Sequence, residues 1–416
     1  LARIGINRAF TIFWLGQSLS SLGDAFALIA MPLLVLQATG SVSQMGLVTG
    51  AAGIAQLIAG LFAGLLVDRL DRRRLMIICD LGRAILYSAI PAGWWLLGPQ
   101  IWLIYVVTVL GSLLGMCFQV AYITAVSNLV EREALTEANG RLQATVGVAF
   151  VLGPVLAGLV SARVGPAAAI GVDAISFLAS AASLLFIRLR RAVATRQANQ
   201  EGSGSVASLL AGARFLFAHP VLRAVTIVLA VFTFATTGSL DLFIFYLKHD
   251  LHQSDNAVGF IFGLACVGAI GAGLAAATLR RRLGFGVCWL GGIIGMGVIL
   301  CVIALVPGLV TISIVAPFFS MLTTVMGIIS MSLRQEITPD HLLGRVTAAF
   351  WTLSSAAGPV GAALATALAA HLGVLPVLGL IGIVVLALGV AGAFTPARQR
   401  SPEHWTREGL ALRATA

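Results

Sequence analysis

Residues 10–37 read FTIFWLGQSLSSLGDAFALIAMPLLVLQ, an apolar run long enough to cross a bilayer and carrying one charged side chain, Asp24. About 20 apolar residues suffice for a helical span, and the run is continuous where a barrel strand would alternate. Only a helix satisfies its own backbone hydrogen bonds inside lipid. Runs of the same kind recur at residues 44–67, 75–97, 101–126, 140–161 and 166–188, then at 222–247, 257–279, 285–306, 309–333, 345–370 and 373–394. Breaks such as Gly98-Pro99 and Val306-Pro307-Gly308 separate them. The composition agrees: 59% of residues are hydrophobic, 10% are charged and the mean hydropathy is +1.00, whereas a soluble domain carries about a quarter charged residues. The predicted fold is an all-α integral membrane protein with twelve transmembrane helices.

Positively charged loops stay on the cytoplasmic side, and the arginines alternate accordingly. Arg3 and Arg8 precede span one, Arg69 and Arg72 to Arg74 follow span two, Arg132 and Arg141 follow span four, and Arg188, Arg190, Arg191 and Arg196 follow span six. Arg280 to Arg282, then Arg334 and Arg345, then Arg398, Arg400, Arg407 and Arg413 fall on the same side for a count of twelve. The other side holds Arg163 and Lys248. The expectation is a multi-pass protein of the inner (plasma) membrane with both termini cytoplasmic. No short apolar region with a small-residue cleavage site precedes span one, so no removable signal peptide is expected.

This placement also explains the net charge of +10 and the pI near 10.4: the cations belong to membrane loops. No basic run interleaved with aromatics marks a nucleic-acid partner. Cys79, Cys117, Cys266, Cys288 and Cys301 sit in apolar segments without CxxC spacing, as packing residues. The six histidines form no metal motif, and neither a serine elbow nor a phosphate-binding GxxxxGK[ST] loop is present. Neither enzyme chemistry nor a cofactor or metal is expected; the implied partners are the bilayer, a small-molecule substrate and protons. A monomer is the working expectation.

The chain repeats itself. Asn139-Gly140-Arg141 opens span five and precedes Gly153-Pro154; Leu343-Gly344-Arg345 opens span eleven and precedes Gly358-Pro359. Two pseudo-symmetric six-helix bundles follow from this repeat, at residues 1–188 and 220–395. Between them, residues 189–219 form a polar linker whose end, Val206 to Ala218, reads as a short amphipathic surface helix or as linker throughout. Residues 396–416 form a cytoplasmic tail.

The loop Gly64-Leu65-Leu66-Val67-Asp68-Arg69-Leu70-Asp71-Arg72-Arg73-Arg74 resembles the signature between spans two and three of the major facilitator superfamily, with Asp71 in place of the usual second glycine. The resemblance implies the major facilitator fold and a gating role for Asp68, Arg69, Arg72 and Arg73. The corresponding loop of the second half keeps Arg280 to Arg282 without the aspartate. On span five, Gly147, Gly153-Pro154 and Gly158 resemble the Gly-Pro signature of the antiporter branches, although Ala157 replaces one paired glycine. Pro154 bends the helix and the glycines allow tight packing; a plain packing kink would look the same. Leu15-Gly16-Gln17 with Ser20 to Asp24, Asp80-Leu81-Gly82-Arg83, and Leu333-Arg334-Gln335-Glu336 with Pro339 through Arg345 look like the macrolide-efflux branch of the drug:proton antiporters. The resemblance implies proton-coupled efflux of lipophilic small molecules. A dedicated exporter of a siderophore or other secondary metabolite and an uptake symporter are the alternatives.

Ionisable groups in hydrocarbon cost at least about 2.5 kcal/mol and are functional candidates by default. They are Asp24, Asp80, Arg83, Asp173 and Asp241. Asp24 has no obvious local cation, which suits a proton carrier; an aspartate hydrogen-bonded to a neighbouring helix is the other reading. Asp241, in the equivalent helix of the second half, is the second proton-coupling candidate, placed toward an outer mouth. Asp80 and Arg83, three apart, are expected to pair with each other as a structural or gating ion pair. Gln17, Ser21, Gln119, Tyr122, Phe234 and Phe243 are the candidates for the substrate cavity.

Overall fold

A computed structural model describes residues 8–130, 135–187 and 206–402, and every regular element in them is helical. Twelve helical segments are long and apolar enough to cross a membrane. The first six are α1 (Arg8–Thr39), α2 (Val42–Arg69), α3 (Arg72–Leu97), α4 (Ile101–Leu129), α5 (Leu135–Val164) and α6 (Pro166–Leu185). After α7 (Val206–Ala218), which lies where the amphipathic helix was expected, come α8 (Pro220–Thr236) and α9 (Ser239–Phe245) with a π turn at Tyr246–Asp250. The rest are α10 (Asp255–Leu283), α11 (Phe285–Leu305), α12 (Leu309–Ile337), α13 (Asp340–Ser355), α14 (Gly358–Leu372) and α15 (Val374–Gly392). Apolar side chains such as Leu96, Leu274 and Phe394 stand more than 80% exposed, a surface suited to lipid and not to water.

The chain divides into two compact units, residues 1–204 with 252–263, and residues 205–251 with 264–416. In the first, α1 packs along α6 and α5, and α3 packs along α6 and α4. Lipid offers no hydrophobic drive between helices, so close contact comes from small residues. A Cβ on Gly16 would lie 2.1 Å from Ser183 Oγ, one on Gly23 would lie 2.1 Å from Ser176 Oγ, and one on Gly153 would lie 2.3 Å from the Ala25 Cβ. The second unit repeats the device where α11 meets α15, with Gly297 against the Gly382 carbonyl. There α7 packs on α13, Gly212 lying under the Arg345 carbonyl.

Turns follow local chemistry. Asp71 accepts from the Arg74 N–H at 2.9 Å and caps α3, which gives the departure from the family glycine a physical role. Gly165, between α5 and α6, and Gly373, between α14 and α15, share φ of +87° and +86°, a region that other residues enter at a cost. The matching conformations express the repeat at the backbone level.

Two predicted spans are not continuous. Residues 222–247 break at Thr237-Gly238 and residues 345–370 break at Ala356-Ala357, just before Pro359. Proline brings no N–H, and small residues let the two broken helices touch at their breaks. A Cβ on Gly358 would lie 2.8 Å from Thr237 Oγ1, and one on Gly361 would collide with the Phe234 carbonyl at 1.8 Å.

Gly23→Ala is expected to destabilise the first unit by roughly 1–3 kcal/mol, the usual cost of overpacking. Thermal unfolding of the purified protein in detergent measures this, and Gly147→Ala, whose Cβ would meet nothing within 4 Å, is the control that should stay near the parent value.

Candidate functional site

Helical spacing builds a polar seam inside the first unit. Gln17, Ser20, Ser21 and Asp24 recur at three- and four-residue steps on α1; Asp80, Arg83 and Tyr87 do so on α3; Asp173, Ser176, Ser180 and Ser183 do so on α6. Residues at such spacing share a face, and these three faces meet. Gln17 Nε2 donates to Ser180 Oγ at 2.8 Å, and Ser176 Oγ donates to the Asp173 carbonyl at 2.7 Å with Asp173 Oδ1 at 3.1 Å.

At the centre lies Arg83. Its Nη2 donates to Asp24 Oδ1 at 2.6 Å, and its Cζ stands 3.8 Å from the Phe177 ring centroid, so the cation is held by a carboxylate and an aromatic face together. Asp80 and Asp173 are fully buried within its electrostatic reach. Neither Asp80 oxygen has a hydrogen-bond partner among the described residues, the Ser180 hydroxyl standing by outside bonding geometry, and Asp173 Oδ2 likewise has none. Two expectations are corrected. Asp24 does have a cation, supplied by α3 across the helix interface, and Asp80 does not form the hydrogen-bonded pair with Arg83. The reason is reach: an arginine stem extends beyond its own turn, and the guanidinium settles on the acid of the facing helix. Sequence spacing sees only neighbours on the same helix.

The Asp24 side chain is 45% exposed and Arg83 is 11% exposed, because the pair forms part of the wall of a cavity of about 440 Å³. Gln17, Ser21, Gln119 and Tyr122 line the same cavity. Tyr122 stacks with Phe13 and Phe118, at centroid distances of 5.6 and 6.3 Å. The wall also includes Gln56, Thr145 and Phe150, which the sequence reading missed. Gln56 carried a legible signal, a lone amide amid the apolar residues of span two. Thr145 and Phe150 carried none, since which face of α5 turns inward depends on packing.

The other candidates lie apart from this cavity. Asp241, in the first turn of α9, is 1% exposed, so it does not open on a mouth as expected; an acid there is favoured by the helix N-terminus. Phe243 meets Phe319 edge-on at 6.3 Å, and Phe234 borders α14 through its carbonyl. Arg334 is buried with its Cζ 3.6 Å from the Phe350 centroid and 5.6 Å from that of Trp351, and Arg345 is half-buried at the start of α13. Arg73 donates to the Leu184 and Leu185 carbonyls at 2.7 Å, closing the end of α6, while Arg72 is half-buried in the first turn of α3. Pro154 lies within α5 beside Gly153. The side chains of Asp68 and Arg69 lie outside the described residues.

Twelve helical segments of membrane-crossing length and a polar cavity within the first unit describe a multi-pass membrane protein, and its likeness to known proteins makes it a transporter. The chain belongs to the Major Facilitator Superfamily, whose model matches residues 13–362. It is 29% identical over 383 residues to the multidrug efflux pump Tap of Mycolicibacterium fortuitum, covering 90% of this chain and 92% of that protein. It is 24% identical over 391 residues to the enterobactin exporter EntS of Escherichia coli O1:K1, covering 94% and 92%. Among solved structures, a bacterial homologue of the iron transporter ferroportin in an inward-facing state superposes with a TM-score of 0.70 at 18% identity, covering 94% of this chain and all (100%) of that one. The nucleoside transporter NupG gives a TM-score of 0.72 at 12% identity, covering 93% and 98%. These neighbours share the fold.

Arg83→Gln removes the partner of Asp24 and the cation nearest the buried Asp80 and Asp173, and is expected to destabilise the protein more than Asp24→Asn, which at a half-exposed position should cost about 1 kcal/mol or less. Adding Asp173→Asn to Arg83→Gln should recover part of the loss in detergent unfolding. A double variant no more stable than Arg83→Gln alone would show that the cluster does not share one charge balance.

Proposed function

We propose that this transporter is a proton-coupled efflux antiporter of lipophilic small molecules, antibiotics among them, with macrolide-like drugs as one class. It works by alternating access in the inner (plasma) membrane, with both chain ends in the cytoplasm. The observation that carries this reading is the Asp24–Arg83 pair in the wall of the 440 Å³ cavity, a size in the range of small-molecule sites. The names of the relatives, a multidrug pump and a siderophore exporter, support export as the direction.

The geometry supplies a coupling rule. Asp24 is the exposed acid of the cluster and also the partner of Arg83, so a proton or a cationic drug arriving at Asp24 competes with the guanidinium. Once Asp24 is neutralised or taken, Arg83 turns to Asp80 and Asp173, of which Asp80 has no hydrogen-bond donor and Asp173 only Ser176 among the described residues. One acid therefore cannot hold its proton, the drug and the arginine together, and exclusion of this kind is what antiport requires. Phe118, Tyr122 and Phe150 offer ring surface to an apolar body, and Gln17 and Gln119 offer hydrogen bonds. A second reading, export of one siderophore or other secondary metabolite, is favoured by the EntS relationship alone.

The test is drug flux in proteoliposomes under an imposed pH gradient. Asp24→Asn is expected to abolish gradient-driven accumulation while downhill exchange of drug persists, and Arg83→Lys should retain more coupling than Arg83→Gln. Unchanged gradient-driven flux in Asp24→Asn would remove Asp24 from the coupling step. A panel of drugs without flux, beside a catecholate siderophore that is moved, would select the second reading.

A further inference from the structure

The last turn of α10 holds three consecutive arginines, Arg280 to Arg282, where the corresponding stretch of the first half holds Asp68 and Asp71 among its arginines. One of the three is neutralised within the fold: Arg280 donates through both terminal nitrogens to Glu336 of α12, at 2.8 and 2.5 Å. Among the described residues, Arg281 donates to the Thr278 hydroxyl, at 3.4 Å. Among the described residues no carboxylate lies within ion-pair distance of Arg281 or Arg400.

The chain brings Arg400 to this place by a built device. After α15 it turns through a 3₁₀ segment at Pro396–Arg398 and doubles back along the loop. The Phe285 N–H donates to the Arg400 carbonyl at 2.9 Å, the Gly286 N–H donates to the Gln399 carbonyl at 3.0 Å, and Arg400 Nη2 donates to the Arg282 carbonyl at 3.1 Å. Two glycines make room. Gly284 sits at φ +83°, where a Cβ would lie 2.3 Å from Arg400 Cγ, and a Cβ on Gly286 would lie 2.1 Å from the Arg398 carbonyl oxygen. Beneath this strap is a cavity of about 670 Å³, larger than the one around Asp24. Its polar lining is Arg280, Arg281, Arg400, Ser332, Ser401 and Glu336; its apolar lining includes Ala276, Ile328 and Ile329.

We propose that this cavity binds a phosphate-bearing anion, in the membrane the headgroup of an anionic phospholipid. Once Glu336 is satisfied by Arg280, two guanidiniums remain with no acid within ion-pair distance among the described residues. A phosphate accepts their donors in the geometry that arginine prefers. The adjoining wall of alanine and isoleucine continues into membrane-spanning helices, so an acyl chain would lie along it while its headgroup meets the arginines, as in basic pockets at the cytoplasmic face of other membrane proteins. Soluble phosphate shares the headgroup chemistry but leaves the apolar wall uncovered. Occupancy would tie the strap to α10 and α12 and stiffen that end of the second unit.

The experiment uses the full chain, purified and stripped of lipid. Its thermal unfolding is followed as cardiolipin, phosphatidylglycerol, phosphatidylcholine or inorganic phosphate is added, and retained lipid is read by native mass spectrometry. The anionic lipids are expected to raise Tm and to remain bound, and R281A/R400A should need at least roughly tenfold more lipid for the same shift. The control R8A/R74A removes the same charge from exposed positions of the first unit and should behave as the parent. A matching rise with inorganic phosphate alone, lost in R281A/R400A, supports the site and assigns it to soluble phosphate. An equal rise with phosphatidylcholine, or a response unchanged in R281A/R400A, overturns the proposal. The detergent assay does not depend on which way the protein faces or on whether it exports drugs, so its failure is distinct from failure of the antiport reading.

Discussion

Three acids, two of them fully buried and one in a cavity wall, surround a single guanidinium, and that imbalance governs the first unit. A charge buried there is tolerated only when paired and hydrogen-bonded, yet Arg83 can satisfy one acid fully and the Phe177 face besides. Asp80 and Asp173 sit behind it without a full set of donors. Such an arrangement is a poor way to stabilise a fold. It is a good way to make one residue's protonation decide another's partner, because each redistribution of charge changes which helix Arg83 holds.

The helices around it are built so that the cluster can exist. Gly16 and Gly23 of α1 let α6 approach until the serine hydroxyls touch the α1 surface, and that approach brings Asp173 beside Arg83. A Cβ at Gly23 would fall 2.5 Å from Asp173 Oδ1, so packing and electrostatics meet at one position. Small residues thus set the distance between helices, and that distance sets the strength of the charge interactions inside.

Much of this was legible in the residues. The twelve spans, the repeat and the polar faces of α1 and α4 follow from hydropathy and helical spacing, since one dominant solvent, lipid, dictates a simple rule for each segment. Gln17, Ser21, Gln119 and Tyr122 do gather around one cavity. The pairing of charges was not legible. Arg83 lies three residues from Asp80 and 59 from Asp24, and nothing in the sequence says which is closer in space. Nor does hydropathy detect a break such as Thr237-Gly238, because the broken segment is as apolar as a continuous one and the break depends on a facing helix, α14, that makes room for it.

Within the pattern of repeated halves, the chemistry is unequal. The first unit collects Asp24, Asp80 and Asp173 on helices that face one another, whereas the second has Asp241 on α9 and holds the Arg334 cation against aromatic rings. The arginines that end its α10 have one acid, Glu336, held by Arg280, and receive a strap that adds the Arg400 cation. The repeat supplies two copies of a helical frame, and the buried acids that face one another are gathered in one of them. The other copy is then released to recruit its counter-anion from outside the chain, and a membrane protein has an anionic surface at hand.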